Sequence, residues 1–200
     1  MPIIQQRHEI PVEVSARHAH LSREHLDILF GPGYELAKLK DLSQIGQFAA
    51  AETITIEGLR GKFEKVRLIG PCREHTQVEI SRTDARLLGI EPPVRLSGDI
   101  SSSSGARLSG PQGTVELGQG VIIAQRHLHL DEATAEQWSL KSGDVAAVEI
   151  GGERGAIFNN VAVRVHNDFM PAFHIDTDEA NAAGITANNN HGYVIAVSGN

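Results

Sequence analysis

The chain has 200 residues and a formal net charge of −7, and no run of Lys or Arg interleaved with aromatics could track a phosphate backbone, so nucleic acid is excluded as a partner. Hydrophobic residues make up 40% and aromatics 4%, enough for aliphatic cores in one compact domain or two small ones. A single cysteine, Cys72, excludes an intrachain disulfide or a cysteine cluster for zinc, and no stretch reaches the roughly 18 apolar residues that span a membrane.

The first ten residues, Met1 to Ile10, lack a secretory apolar segment, so a soluble, unexported, cytoplasmic protein is expected. Val12, Val14 and Ala16 then alternate with polar residues, a strand running into Arg17-His18-Ala19-His20-Leu21. Ser22 caps a helix that Gly31 and Gly33 stop, and Tyr34 to Asp41 is a short strand or loop. Gln44 to Phe48 is turn-rich. Glu52 to Glu57 and Gly61 to Gly70 form a hairpin, Val78 to Ala85 is a third segment, and Ser101 to Ser104 is a mobile turn between strands.

Val121-Ile122-Ile123 leads into Arg126-His127-Leu128-His129-Leu130, the same five-residue frame as before, and Asp131 caps the next helix. A second glycine-turned hairpin follows from Val145 to Val165, and then a segment from Phe173 to Ala180. Each half thus runs strand, His-x-His, helix, hairpin, third segment. The chain reads as mostly β with short helices, its two halves related by internal duplication.

The duplicated frame carries chemistry. Side chains at i and i+2 share one face of a strand, so two imidazoles converge on one metal while the residue between them points away. One strand His pair alone is more often a solvated edge; two copies in one frame point to metal binding, because fold stability does not call for them. Aligning the third segments sets Glu79 opposite His174, giving two three-ligand sets: His18, His20 and Glu79, and His127, His129 and His174. Three protein ligands leave a coordination position open, as catalytic zinc requires. Arg17 and Arg126 sit on the reverse strand face and have a supporting role. Cys72, between Pro71 and Arg73, is a small apolar filler ahead of a nucleophile.

Pro11 to Ser22, Lys40 to Gln44, Gly46 to Ala50, Thr76 to Asp84 and His174 to Asn181 closely resemble the PduL-type phosphate acyltransferases. The resemblance covers nearly the whole chain. It implies reversible conversion of a short acyl-coenzyme A and inorganic phosphate into an acyl phosphate and free coenzyme A, with two zinc ions in an active site between two small antiparallel β-barrels. The family's metal ligands fall on the same six residues, and its phosphate-facing arginine on Arg73. The resemblance also implies a crossover, with residues 7–16 and 125–194 in the barrel of the second His-x-His and residues 17–124 in the other, which carries a small insertion near 31–51. A homodimer is expected from the same source, and residence in a bacterial microcompartment, with a place in propanediol degradation, is open, because the residues before Pro11 are short and polar for an encapsulation peptide. Ala16 stands where family members usually have Asn, and Asn188 to Asn200 matches less well.

By charge, the three neutral histidines leave their zinc dipositive and should recruit phosphate, while the resemblance implies that the set with Glu79 faces the coenzyme A sulfur. Cobalt or nickel also suits imidazole ligands. The rival readings are a zinc-dependent hydrolase of thioesters or amides and a non-catalytic zinc-stabilised binding module.

Overall fold

The structure is a computed structural model and describes residues 3–198. In chain order the elements are β1 (Ile3–Ser15), β2 (His18–His20), α1 (Arg23–Phe30), β3 (Lys38–Asp41), β4 (Phe48–Glu57), β5 (Lys62–Gly70), β6 (Gln77–Glu79), α2 (Arg82–Leu88) and β7 (Val94–Arg95). There follow β8 (Ser104–Ser109), β9 (Thr114–Ala124), β10 (His127–Leu130), α3 (Glu132–Trp138), β11 (Val145–Ile150), β12 (Ala156–Val165), β13 (Ala172–Asp176), α4 (Thr177–Ala183) and β14 (His191–Ser198). No helix among the described residues is long and apolar enough to cross a membrane.

Two compact units emerge: a first unit of Ala16–Ala124, and a second made from the chain up to Ser15 together with Gln125 onward. In the first, β4, β5, β2, β6, β9 and β8 pair in a ring that closes when β8 returns to β4. In the second, β1, β13, β10, β12, β11 and β14 form a closed barrel. Position for position the rings correspond, down to the direction of each ladder. Both hold four antiparallel ladders and two parallel ones, β2 with β5 and β6 with β9 in the first, β10 with β12 and β1 with β13 in the second. Antiparallel ladders predominate, as expected, and the parallel ones refine that expectation: each motif strand lies parallel to the second strand of its own hairpin, a pairing that only a long connection allows.

The motif itself is also corrected. Each His-x-His was expected to end the strand before it, but the chain breaks at Ala16-Arg17 and at Gln125-Arg126, and the histidines form short strands of their own. The preceding strand joins the other unit. β1 lies parallel to β13 in the second unit and β9 lies parallel to β6 in the first. β14, in the stretch that matched the family less well, completes the second barrel between β1 and β11.

Alternation then aims the histidines. Ala19 and Leu21 are buried in the core of the first barrel with Ile54, Val66, Leu68, Leu108 and Val121. Leu128 and Leu130 fill the second core with Ile10, Val12, Val148, Val161 and Phe173. Because these residues point inward, their neighbours His18, His20, His127 and His129 share the opposite face. Burying the leucine that closes each motif, Leu21 or Leu130, contributes about 2 kcal/mol, so the same residues that stabilise the barrel fix the orientation of the imidazoles.

The arginine that opens each motif pins the strand to the helix after the third segment. Arg17 Nη2 donates to Asp84 Oδ1 at 2.7 Å, and Arg126 Nε to Glu179 Oε1 at 2.9 Å. Both acids also close capping boxes, with Ser81 on α2 and with Asp176 on α4. Each guanidinium lies over an aromatic ring of the hairpin's second strand, Arg17 4.2 Å from the Phe63 centroid and Arg126 5.2 Å from that of Phe158.

Two outcomes follow from this packing. A Cβ on Gly58, in the β4–β5 turn, would stand 2.3 Å from the Leu88 carbonyl oxygen at the end of α2, whereas one on Gly118 meets nothing within 4 Å. Gly58→Ala should therefore lower stability by about 2 kcal/mol in urea unfolding while Gly118→Ala stays within about 0.5 kcal/mol; equal effects would contradict the packing. Asp84 is more buried than Glu179, with side chains 4% and 20% exposed. Arg17→Met, which strands the deeper carboxylate, should cost about 2 kcal/mol and more than Arg126→Met, by the same measurement.

Candidate metal centres

The third member of each set is placed by ladder register. His18 is the cross-strand partner of Glu79 on β6, and His127 is that of His174 on β13. With the i+2 histidine on the same face, each set becomes a triangle: His18, His20 and Glu79 offer ligand atoms all within 4.8 Å of one another, and so do His127, His129 and His174. These are the six residues expected from the sequence, brought together in two groups of three. His20 is 2% exposed and His129 6%, so solvent offers them little.

The donor atoms suit a divalent cation. His18 Nδ1 lies 2.8 Å from the Ala16 carbonyl oxygen and His127 Nδ1 2.8 Å from that of Gln125. A carbonyl only accepts, so in both rings Nδ1 is the donor, which leaves Nε2 as the nitrogen a metal would take. His20 Nδ1 and both ring nitrogens of His129 are buried with no hydrogen-bond partner. Orphaned buried nitrogens cost free energy that a bound cation would recover. Burial, reinforced by Arg73 and His18, pushes the His20 pKa down to about 3. For His129, burial and the neighbouring His174 and His127 bring it to about 2. Burial works against the charge on Glu79, but His18, His20, a hydrogen bond from Ser97 and Arg73 outweigh it and hold its pKa at about 2. At neutral pH two rings are thus neutral and the carboxylate ionised, as coordination requires.

Glu79 is oriented by residues that the sequence reading missed. Its Oε1 accepts from Gln77 Nε2 at 2.6 Å and from Ser97 Oγ at 2.8 Å, leaving Oε2 3.6 Å from His18 Nε2. Gln77 Oε1 in turn accepts from the Gly98 amide at 2.8 Å. Gln77 stands at i−2 from Glu79 on one strand face, a signal available in the sequence; Ser97 comes from a loop with none.

Arg73 lies in this same unit, on the β5–β6 connection, where its Nη1 donates to Ser97 Oγ at 3.0 Å and its charge reaches His20 and Glu79. Glu74 stands instead against His75, at 3.7 Å. The β12–β13 connection has the same length, residues 166–171 against 71–76, and puts Asp168 where Arg73 stands. There Phe169 stacks on His129 with ring centroids 3.9 Å apart, and Arg164 lies 5.6 Å from the Phe169 centroid. Cys72 packs against the first core, and burial raises its thiol pKa, so it is an apolar filler and a poor nucleophile.

A pH dependence follows with a definite sign. In the chelator-treated chain His20 and His129 stay neutral when folded, whereas unfolded histidine takes a proton near pH 6.5. The unfolded state then binds more protons, so stability is fully present above about pH 6.5 and falls as pH drops, by about 1.4 kcal/mol per unit for each ring. Urea midpoints at pH 7.5 and 5.5 should show the lower value at 5.5; a pH-independent midpoint would contradict buried neutral imidazoles.

Comparison with known proteins adds identity to this geometry. The model of the phosphate propanoyltransferase family matches residues 11–186. Proteins named phosphate propanoyltransferase share 53% identity with the chain in Thermotoga maritima, over 87% of this chain and 83% of the relative, and 50% in Salmonella typhimurium, over 92% and 87%. One from Rhodopseudomonas palustris is 49% identical over 87% of this chain and 77% of its own length. With nine-tenths of its length matched and its histidines set in a duplicated pair of barrels, the chain belongs to the phosphate propanoyltransferase family of acyltransferases.

Proposed function

We propose that the chain transfers a short acyl group, propanoyl or a close homologue, between coenzyme A and inorganic phosphate, and that His18, His20 and Glu79, and His127, His129 and His174, each hold one zinc ion. The pairing of two three-ligand sets, with buried nitrogens lacking any other partner, carries this reading. Bound cations would supply positive charge to the phosphate oxygens and the thioester, with one coordination position open at each set.

The chain's own residues account for the rest. Arg73 offers a planar fork of donors beside His20 and Glu79, a fit for a phosphate oxygen pair and for the charge that builds up in the tetrahedral intermediate. Arg73 belongs to the unit of Glu79, while the assignment of phosphate to the three-histidine set rests on the charge of its ligands. A phosphate oxygen attacks the thioester carbonyl carbon, the carbon–sulfur bond breaks, and the electron pair leaves on the coenzyme A thiolate. Burial raises the Cys72 thiol pKa, which makes it a poor nucleophile, and direct attack by phosphate requires no acyl-enzyme. Gln77 and Ser97 hold Glu79 through Oε1 and keep its other oxygen directed at the set.

Thiol release from propionyl- and acetyl-coenzyme A separates this reading from a hydrolase. Release should require phosphate, yield acyl phosphate in equal amount, disappear on chelation and return with zinc. Phosphate-independent release would favour the hydrolase, and metal retention without turnover the binding module. Arg73→Ala should lower kcat/KM for phosphate about a hundredfold and Arg73→Lys at least about tenfold, since lysine keeps the charge but loses the fork.

A further inference from the structure

The duplicated barrels allow the two sets to be compared strand by strand. In the first unit, adjacent strands place Ile122, Glu79 and His18 side by side in one row, through the registers of β9 with β6 and of β6 with β2. The corresponding row in the second unit reads Glu13, His174 and His127, through β1 with β13 and β13 with β10. Each row therefore holds one carboxylate. In the first it is the ligand candidate itself, with a fully buried isoleucine beyond it; in the second it has moved one strand outward, next to the ligand candidate.

Side-chain positions agree with the register. Glu13 Oε2 lies 3.8 Å from His174 Nε2, with the Glu13 side chain 37% exposed and that of His174 11%. We infer that Glu13 is the positioning residue of the three-histidine set: its carboxylate orients the His174 imidazole and provides the negative charge that three neutral ligands lack. Both sets then hold one carboxylate, as a ligand candidate in the first and beside one in the second. A carboxylate beside a ligating histidine raises the ring's basicity, and losing such a partner typically weakens metal binding about 10- to 100-fold. Glu13 reaches this set only because β1 leaves the repeat it precedes and joins the barrel of the other.

The inference rests on the metal-binding reading above, and a titration separates the two. Full-length protein stripped by chelator is titrated with Zn²⁺ against a chromophoric competing chelator. Wild type should take up two cations, and Glu13→Gln, which removes the charge at constant shape, should weaken one of them about tenfold or more and leave the other unchanged. In a His20→Ala background the remaining cation should be the sensitive one; in a His129→Ala background it should be insensitive to Glu13→Gln. Glu13→Asp should recover part of the loss, and the urea midpoint of the cation-free Glu13→Gln protein should match wild type, as a purely structural residue would not predict. Two cations bound with affinities within twofold of wild type in Glu13→Gln would overturn the role of Glu13 alone, whereas a wild type that takes up no cation would overturn the metal-binding reading beneath it.

Discussion

Both triangles of donor atoms in this molecule depend on a ladder register. On one strand, His-x-His puts two imidazoles on the same face; on the antiparallel neighbour, the residue directly opposite the first histidine is Glu79 in one barrel and His174 in the other. A slip of one residue would send both imidazoles into the hydrocarbon core and Ala19 or Leu128 out of it. The burial of Ala19, Leu21, Leu128 and Leu130 opposes that slip, so the energy that holds each barrel together is also what holds each triangle of donor atoms in shape. Arg17 and Arg126 add a second tether, since each ties its histidine strand to the helix that follows the third donor.

Upon this shared frame the two units have diverged in their electrostatics. The first has Gln77 and Ser97 on Glu79 and a guanidinium, Arg73, on the adjoining loop. The second has Ala172 where Gln77 would be and Asp168 where Arg73 would be, and packs Phe169 on its inner histidine. Duplication supplied two equivalent donor geometries, and the charges around them differ. The exchange of β1 and β9 between units sets Glu13, from the first repeat, beside His174 of the second.

Much of this could be read from the chain itself. The repeated Arg-His-x-His-Leu frame, the alternation around it and the polar residues that open the helices (Ser22 and Asp131) are local signals, and local signals survive in sequence. The pairing of Glu79 with His174 came from aligning two halves, which works because the connections before them are equally long. Partition of the strands was not legible, because Val12 and Val14 alternate in the same way whichever sheet receives them; the crossover came from family resemblance. The break at Ala16-Arg17 hid for the same reason: alternation continues through it. Arg17 and Asp84 are 67 positions apart and Ser97 lies in a loop, and no periodicity connects such residues.

The central claim is that six named side chains form two cation sites in one chain. Anomalous diffraction at the zinc absorption edge, from crystals of the zinc-loaded protein, tests it most directly. The account predicts two peaks per chain, one within coordination distance of His18, His20 and Glu79 and the other of His127, His129 and His174. A single peak, or peaks held by other residues, would contradict it.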